Sequence, residues 1–131
     1  MSIVGRGAAG SLSSGLHHAK AARGDGFCTF NGLALAARRV LAASEARILV
    51  LDLDAHCGGG TYELLGDDSH IAGVDVAVDA FDRYRPASRW SLDLVSHAAD
   101  YLPTIERRLD ALAGERFDVV LYNAGMDPCE E

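Results

Sequence analysis

Two stretches of the chain carry apolar residues at the spacing of an amphipathic helix. The first begins at Asn31, and its apolar positions are Leu33, Ala36, Ala37, Val40 and Leu41. The second carries Val95, Ala98, Leu102, Ile105, Leu109 and Leu112. Pro103 falls inside this second pattern, where an interior proline would cost ~3 kcal/mol. We therefore predict that the second helix starts near Asp100 as its N-cap, which leaves Pro103 in the first turn.

Three short apolar runs predict strands at residues 48–56, 71–78 and 117–122. The first of these runs is continuously apolar over residues 48–51 rather than alternating, which is typical of a parallel strand buried on both faces. A short helix is expected over 61–65, a loop over 79–91, and a loop-dominated start over residues 1–26. Helices alternating with buried strands indicate a three-layer α/β/α fold with a small, mostly parallel sheet of three or four strands. We expect one domain over residues 1–131.

The composition excludes several classes of partner. The formal charge is −7, whereas a protein that tracks nucleic-acid phosphates needs a basic surface. No apolar run approaches the ~18–20 residues of a membrane span. We therefore expect neither a nucleic-acid nor a membrane partner. Three cysteines without a visible signal peptide favour reduced thiols and a cytoplasmic protein.

Acidic residues follow two of the predicted strands at the edge where parallel sheets bind ligands. Asp52, Asp54 and His56 should share one side of the first strand, because strand side chains repeat every second residue. Asp127 follows the last strand and can converge on them. Two carboxylates and one imidazole leave a coordination position open, as in a catalytic divalent-metal site. The alternative is that the two aspartates cap the next helix and that His56 is an ordinary polar residue.

Two further motifs have both a chemical and a plain interpretation. The adjacent His17 and His18 can carry protons near neutral pH, or they are simply two exposed loop histidines. The glycines at 58–60 can cradle a phosphate before a helix, which would make the chain a nucleotide binder. That signal is weak, because neither a lysine nor a spaced glycine motif accompanies it.

Four motifs occur in an order that resembles a known family. They are SGLHHA at residues 14–19, GFC at 26–28, LDLDAH at 51–56 and YNAGMD at 122–127. Together they resemble the zinc-dependent histone deacetylases, within the arginase–deacetylase fold, and look most like the class IV branch and its bacterial relatives. The resemblance covers roughly residues 11–128.

This resemblance implies a metal-dependent amidohydrolase acting on an acylated amine such as acetyl-lysine or an acetylpolyamine. It makes Asp54, His56 and Asp127 the ligands of Zn²⁺, with Fe²⁺ as the alternative ion. His17 and His18 become the base and acid beside a zinc-activated water.

The resemblance also assigns roles around that centre. Asp52 matches a catalytic carboxylate that orients the first histidine. Gly26 and Phe27 match the wall of a channel for the acylated side chain. Asp75 lies near the position that, with Asp52, helps to surround a K⁺ ion in relatives.

Two departures from the family pattern open an alternative. Relatives carry, after the third ligand, a tyrosine that hydrogen-bonds the substrate carbonyl, and this sequence has no counterpart of it. Gly59 stands where relatives have an Asp or Asn that supports the second histidine, so the support of His18 is an open question. The alternative is a truncated, inactive deacetylase-like module that retains the metal. Unpaired sheet edges and apolar faces predict a homo-oligomer, namely a dimer.

Overall fold

The computed structural model describes residues 7–13, 15–87, 89–125 and 127, and it contains three helices and four strands in these parts of the chain. In chain order they are α1 (Gly32–Leu41), β1 (Ile48–Asp52), α2 (Gly59–Leu65), β2 (Ile71–Ala77), β3 (Trp90–Leu94), α3 (Ala98–Ala111) and β4 (Val119–Asn123). The strands form one sheet in the order β3-β2-β1-β4, and every neighbouring pair is parallel.

The register of the sheet brings three polar residues side by side at its carboxyl edge. Asp52, the last residue of β1, is paired with Asp75 of β2 on one side and with Asn123 of β4 on the other. All three residues are buried. The ends of β1, β2 and β4, at the edge where parallel sheets bind ligands, therefore carry buried polar groups.

Helices cover both faces of the sheet, as the predicted α/β/α class requires. One face packs against α1 and α2 through Leu33, Ala34, Ala37, Ile48, Val50, Leu65, Ile71 and Trp90. The other face packs against α3 through Leu49, Ala72, Val74, Val76, Val95 and Ile105. The fold class predicted from the sequence is confirmed.

The first helix begins where its sequence pattern predicts. Asn31 adopts an extended conformation, and its side-chain oxygen accepts a hydrogen bond from the backbone N–H of Ala34. This cap satisfies one of the amides that every helix start leaves free. Arg38 and Arg39 lie in the last turn, where positive charge favours the helix dipole.

Two predicted elements are wrong in their bounds. The loop predicted for residues 79–91 ends in the unpredicted edge strand β3, whose mixture of polar and apolar residues hides it from a search for apolar runs. Helix α3 starts at Ala98 with His97 as its N-cap, so Asp100 lies in the first turn and Pro103 in the second. A carboxylate is favourable in the first turn, beside the positive end of the helix dipole.

The first strand is shorter than predicted. It ends at Asp52 rather than at residue 56, because the next amides turn to other acceptors. Leu53 N–H donates to the Asn123 carbonyl at 3.1 Å, and Asp54 N–H donates to Asp52 Oδ1 at 3.2 Å. A loop, and not the alternation of a strand, therefore presents Asp54 and His56.

Across the described part of the chain, every helix is too short or too polar to cross a membrane.

Candidate metal centre

Asp54, His56 and Asp127 converge beyond the carboxyl ends of β1 and β4. Each offers a ligand atom, and these atoms all lie within 4.8 Å of one another. His56 Nδ1 lies 3.1 Å from Asp54 Oδ1 and 3.3 Å from Asp127 Oδ2. Asp54 is buried, whereas the other two are partly open to solvent. Carboxylate oxygens and an imidazole nitrogen suit Zn²⁺ and related divalent ions, so the three residues predicted from sequence fit a metal.

Local contacts hold two of these residues in place. The His56 backbone N–H donates to Asp54 Oδ1 at 3.0 Å, so the carboxylate faces the imidazole of the same loop. Gly125 lets the chain after β4 approach this loop, because a Cβ there would lie 2.5 Å from the Asp54 Cα atom. Asp127 follows two residues later and completes the cluster.

The tandem histidines lie beside the cluster, in the interior. His17 is 3% exposed and His18 is 6% exposed, so the interpretation of two exposed loop histidines is wrong. His17 Nε2 lies 3.5 Å from Asp54 Oδ1 and 3.1 Å from His18 Nε2. Gly15 and Leu16 both have positive φ, at 63° and 56°, which turns the chain sharply into the histidines. For leucine this conformation costs free energy, and such strain concentrates at functional sites.

A polar clamp between α1 and α2 holds the turn that carries the histidines. Asn31 Nδ2 donates to the His17 carbonyl at 3.2 Å and to the Ala19 carbonyl at 3.3 Å. The backbone N–H of Thr61 donates to the same His17 carbonyl at 2.9 Å. The helix cap and the histidine turn are therefore one structural unit.

Asp52 is hydrogen-bonded to His17 and changes its ionisation. Its Oδ2 lies 2.7 Å from His17 Nδ1, and its Oδ1 accepts from Asn123 Nδ2 at 2.8 Å. Burial lowers the pKa of His17, but the hydrogen bond to Asp52 and the charges of Asp52, Asp54 and Asp75 outweigh burial, and the pKa is raised. His17 is therefore the residue of the pair that holds a proton more readily.

The second histidine has the opposite shift. Burial and the neighbouring His17 charge lower the pKa of His18, and the hydrogen bond from its Nδ1 to Asp82 Oδ2 only partly offsets them. The two Nε2 atoms, 3.1 Å apart, need one proton between them for a hydrogen bond. A protonated His17 that donates to a neutral His18 is consistent with the raised pKa of His17 and the lowered pKa of His18.

A cleft of about 1030 Å³ opens above the cluster and the histidines. Phe27 and Phe81 form part of its wall, and Phe81 packs edge-on against His18 at a centroid distance of 4.9 Å. Gly26, with φ of +49°, is required beside them because a Cβ would lie 2.3 Å from His18 Cδ2. The family resemblance implies Gly26 and Phe27 as part of this wall, whereas Phe81 was missed because it falls in the segment predicted only as a loop.

Asp75 has an unsatisfied oxygen in the interior. It is 1% exposed, and its Oδ2 accepts from the Gly58 N–H at 2.8 Å. Within the described residues, Asp75 Oδ1 and the Tyr84 hydroxyl have no hydrogen-bond partner. Burial and the charge of the adjacent Asp52 raise the pKa of Asp75. An orphaned carboxylate oxygen beside a second carboxylate fits either a proton or a monovalent cation.

The glycines at 58–60 do not form a phosphate cradle. Two of their amides already donate to carboxylates, Gly58 to Asp75 and Gly60 to Asp82. A phosphate would meet these negative charges in place of free N–H groups. The nucleotide-binding interpretation is therefore disfavoured by the structure.

Comparisons with known proteins agree on one family. The model of the "Histone deacetylase domain" family matches residues 4–84. "Histone deacetylase 2" of Arabidopsis thaliana is 34% identical to this chain in sequence. The match covers 93% of this chain and 34% of the plant protein. "Acetoin utilization protein AcuC" of Staphylococcus aureus is 40% identical over 65 residues, which are half of this chain and 17% of that protein.

A solved structure shows the same fold. The crystal structure of an acetylpolyamine aminohydrolase from Burkholderia pseudomallei superposes with a TM-score of 0.76 and 26% identity. The match covers 88% of this chain and 38% of the aminohydrolase. The chain thus spans about a third of the length of these proteins.

Proposed function

This chain belongs to the histone deacetylase family, with its arginase–deacetylase fold, and we propose that it forms the metal-binding part of an amidohydrolase that removes an acyl group from an amine. The observation that carries the proposal is the cluster of three ligand atoms within 4.8 Å of one another, beside a buried pair of histidines. A plant relative is named a histone deacetylase and a structural relative an acetylpolyamine aminohydrolase. Acetyl-lysine and acetylpolyamines are therefore the proposed substrates.

Asp54, His56 and Asp127 would hold Zn²⁺, with Fe²⁺ as the alternative. When bound, such an ion polarises a carbonyl and lowers the pKa of a water to about 7. Amide hydrolysis also needs a base for the water and a proton for the leaving amine. Those two tasks fall to the chain's own side chains.

The histidine pair has the opposed pKa shifts that these tasks need. Burial and the His17 charge lower the pKa of His18, which leaves its Nε2 free to accept a proton. Burial alone would lower the pKa of His17 as well, but Asp52 raises it and makes His17 the better donor. Two neighbouring titratable groups whose pKa values are pushed apart form a natural acid–base pair.

The walls of the cleft support the proposal of an acylated amine as substrate. Phe27 and Phe81 give its wall two apolar surfaces, and Phe27 is fully exposed to whatever enters. An uncharged acylated side chain can pass between such walls, whereas a free ammonium would lose its hydration. The product amine is thus bound less well than the substrate.

We propose that Asp52 and Asp75 help to coordinate a K⁺ ion. The orphaned Oδ1 of Asp75 supports this proposal. An ion there would allow both carboxylates to stay charged beside the Asp52–His17 hydrogen bond. We expect potassium chloride to raise the melting temperature of wild type more than equimolar tetramethylammonium chloride does, because the tetramethylammonium cation is too large for such a site. Equal shifts of the melting temperature with the two salts would contradict the K⁺ proposal.

A second candidate function is an inactive module that binds the metal without turnover. The observation that favours it is that no tyrosine lines the cleft in the described part of the chain. The described residues therefore supply no tyrosine hydroxyl to a substrate carbonyl. The tyrosines, all outside the cleft lining, are Tyr62, Tyr84, Tyr101 and Tyr122. Loss of one such donor typically lowers kcat by ~10²–10³.

Metal analysis of protein purified without added zinc tests the first step. We expect one divalent ion per chain in wild type and none in Asp54→Ala or Asp127→Ala. Asp67→Ala is the control, since Asp67 is exposed and outside the cluster. Unchanged stoichiometry in either cluster variant would remove that residue from the site.

Acetate release separates the two candidate functions. The zinc-loaded chain, at micromolar concentration, would be incubated with an acetyl-lysine peptide and with an acetylpolyamine. Slow release that disappears in His18→Ala supports the amidohydrolase. One bound metal per chain without acetate release supports the inactive module.

We also propose that two copies associate through β4. This strand lies at the edge of the sheet, and its Val120 and Tyr122 side chains are more than half exposed. Sedimentation velocity should show a dimer in wild type and a monomer in Val120→Lys/Tyr122→Lys. Leu102→Lys, on the exposed face of α3, is the matched control that should stay dimeric. A wild-type monomer at tens of micromolar would contradict the proposal.

A further inference from the structure

Asp82 contacts His18 from a loop that the family motifs do not include. Its side chain is 8% exposed, and its Oδ2 lies 3.1 Å from His18 Nδ1. The same oxygen accepts from the Gly60 N–H at 3.0 Å, and Oδ1 pairs with the Lys20 ammonium. Both oxygens are therefore fixed, and Oδ2 can only face the imidazole.

The position of Asp82 depends on the absence of a side chain at Gly59. A Cβ at residue 59 would lie 2.3 Å from the Asp82 carbonyl oxygen and 2.5 Å from Asp82 Oδ1. The Asp82 carboxylate thus fills the space into which a residue 59 side chain would point. Asp82 also has a φ of +56°, a conformation that only a few non-glycine residues adopt and that aims its side chain inward.

We propose that Asp82 is the positioning residue of His18. A neutral imidazole has two tautomers, and a carboxylate that accepts from Nδ1–H selects one of them. With Nδ1 protonated, His18 presents the lone pair of Nε2 to His17, 3.1 Å away, at the edge of the cleft. Lys20 balances the charge of Asp82 and keeps its second oxygen away from the imidazole.

This positioning does not require turnover. The use of His18 as a proton acceptor rests on the proposed function, whereas its tautomer and orientation rest only on the contacts above. The test therefore reads the imidazole directly, so that an inactive chain and a wrongly positioned histidine give different results.

Long-range ¹H–¹⁵N NMR of the full chain at pH 8 distinguishes the two tautomers. In wild type we expect His18 to be predominantly Nδ1–H. A hydrogen bond to a charged group is worth enough to shift such a ratio about tenfold or more. In Asp82→Ala the ratio should fall by that factor, while the His17 signals keep the pattern set by Asp52.

Asp93→Ala, which breaks the distant ion pair with Arg108, is the control and should leave His18 unchanged. If Asp82→Ala does not fold, Asp82→Asn, which keeps the volume but not the charge, should still lower the ratio. A wild-type ratio in every folded variant at position 82 would overturn the proposal.

Discussion

Replacing Asp52 by Asn should flatten the pH dependence of folding stability above pH 6.5. Asp52 is 3% exposed and serves two donors, with Oδ2 at 2.7 Å from His17 Nδ1 and Oδ1 at 2.8 Å from Asn123 Nδ2. An amide has an oxygen at only one of these two positions, and the NH₂ group at the other cannot accept a hydrogen bond. It also removes the negative charge that holds a proton on His17.

The sign follows from proton linkage. The pKa of His17 is lowered by burial but raised overall by Asp52, so between pH 6.5 and the folded-state value the native chain binds a proton that the unfolded chain lacks. The stability that His17 contributes is therefore complete below pH 6.5 and falls as pH rises through its folded-state pKa, by about 1.4 kcal/mol for each pH unit between its unfolded and folded pKa values. Burial and the charge of Asp52 also raise the pKa of Asp75, so this group too makes folding stability fall as pH rises.

In the variant both raised pKa values should decrease. At pH 6 we expect Asp52→Asn to lose ~1.5–3 kcal/mol, the value of a buried hydrogen bond to a charged group. The deficit should shrink as pH rises, because wild type loses its advantage across this window. NMR titration of His17 separates its contribution from that of Asp75.

The assay is urea unfolding with a chelator present, from pH 6 to pH 9. Asp68→Asn is the control, since it removes the same charge at a surface ion pair with Arg38. Because Arg38 and the His70 amide lower the pKa of Asp68 against the effect of burial, this carboxyl titrates far below the window. Parallel stability curves for wild type and Asp52→Asn above pH 6.5 would refute the reasoning.

Three further predictions concern packing and reactivity. Gly60→Ala should destabilise the chain by ~1–3 kcal/mol or more in urea unfolding, because its Cβ would lie 2.5–2.6 Å from backbone atoms of the histidine turn, whereas Gly114→Ala, with nothing within 4 Å, should have little effect. Gly73→Ala should shift the fluorescence of Trp90, since the new Cβ would lie 2.1 Å from its indole ring, and an unchanged spectrum would contradict that packing. Cys57, fully buried, should resist a thiol reagent at pH 8 until the chain unfolds, because burial raises the pKa of its thiol to about 12, and fast labelling by mass spectrometry would disprove this.

Elements with a strong internal pattern were predictable from sequence. Helix α1 has both its apolar face and its Asn31 cap encoded locally, and it forms where predicted. Strand β2 has seven buried residues and is apolar apart from Asp75, and it forms close to its predicted bounds. Strand β3 was missed because it is stabilised by pairing with β2, between Gly73–Ala77 and Trp90–Leu94, and not by an apolar pattern of its own.

The candidate ligands were predictable for a different reason. Asp54, His56 and Asp127 follow strands that a parallel sheet must place side by side, so topology alone brings them to one edge. The alternation argument that joined Asp54 and His56 was nevertheless wrong in detail, since β1 ends at Asp52. The prediction of proximity succeeded because the loop turns back on the same edge, where Leu53 N–H reaches the Asn123 carbonyl.

The surroundings of the histidines could not be predicted, because they depend on backbone conformations that residue type disfavours. In the described chain, Leu16, Phe27 and Asp82 are the non-glycine residues with positive φ. Leu16 turns the chain into His17, Phe27 projects into the cleft, and Asp82 delivers a carboxylate to His18. Only tertiary packing can hold such residues in the left-handed region, so no local rule would place them there. Phe27 lines the cleft, Leu16 precedes the lining residue His17, and Asp82 follows the lining residue Phe81. Backbone strain is therefore concentrated around this cleft, where side-chain orientation decides the chemistry, which is the pattern expected of a site built for positioning.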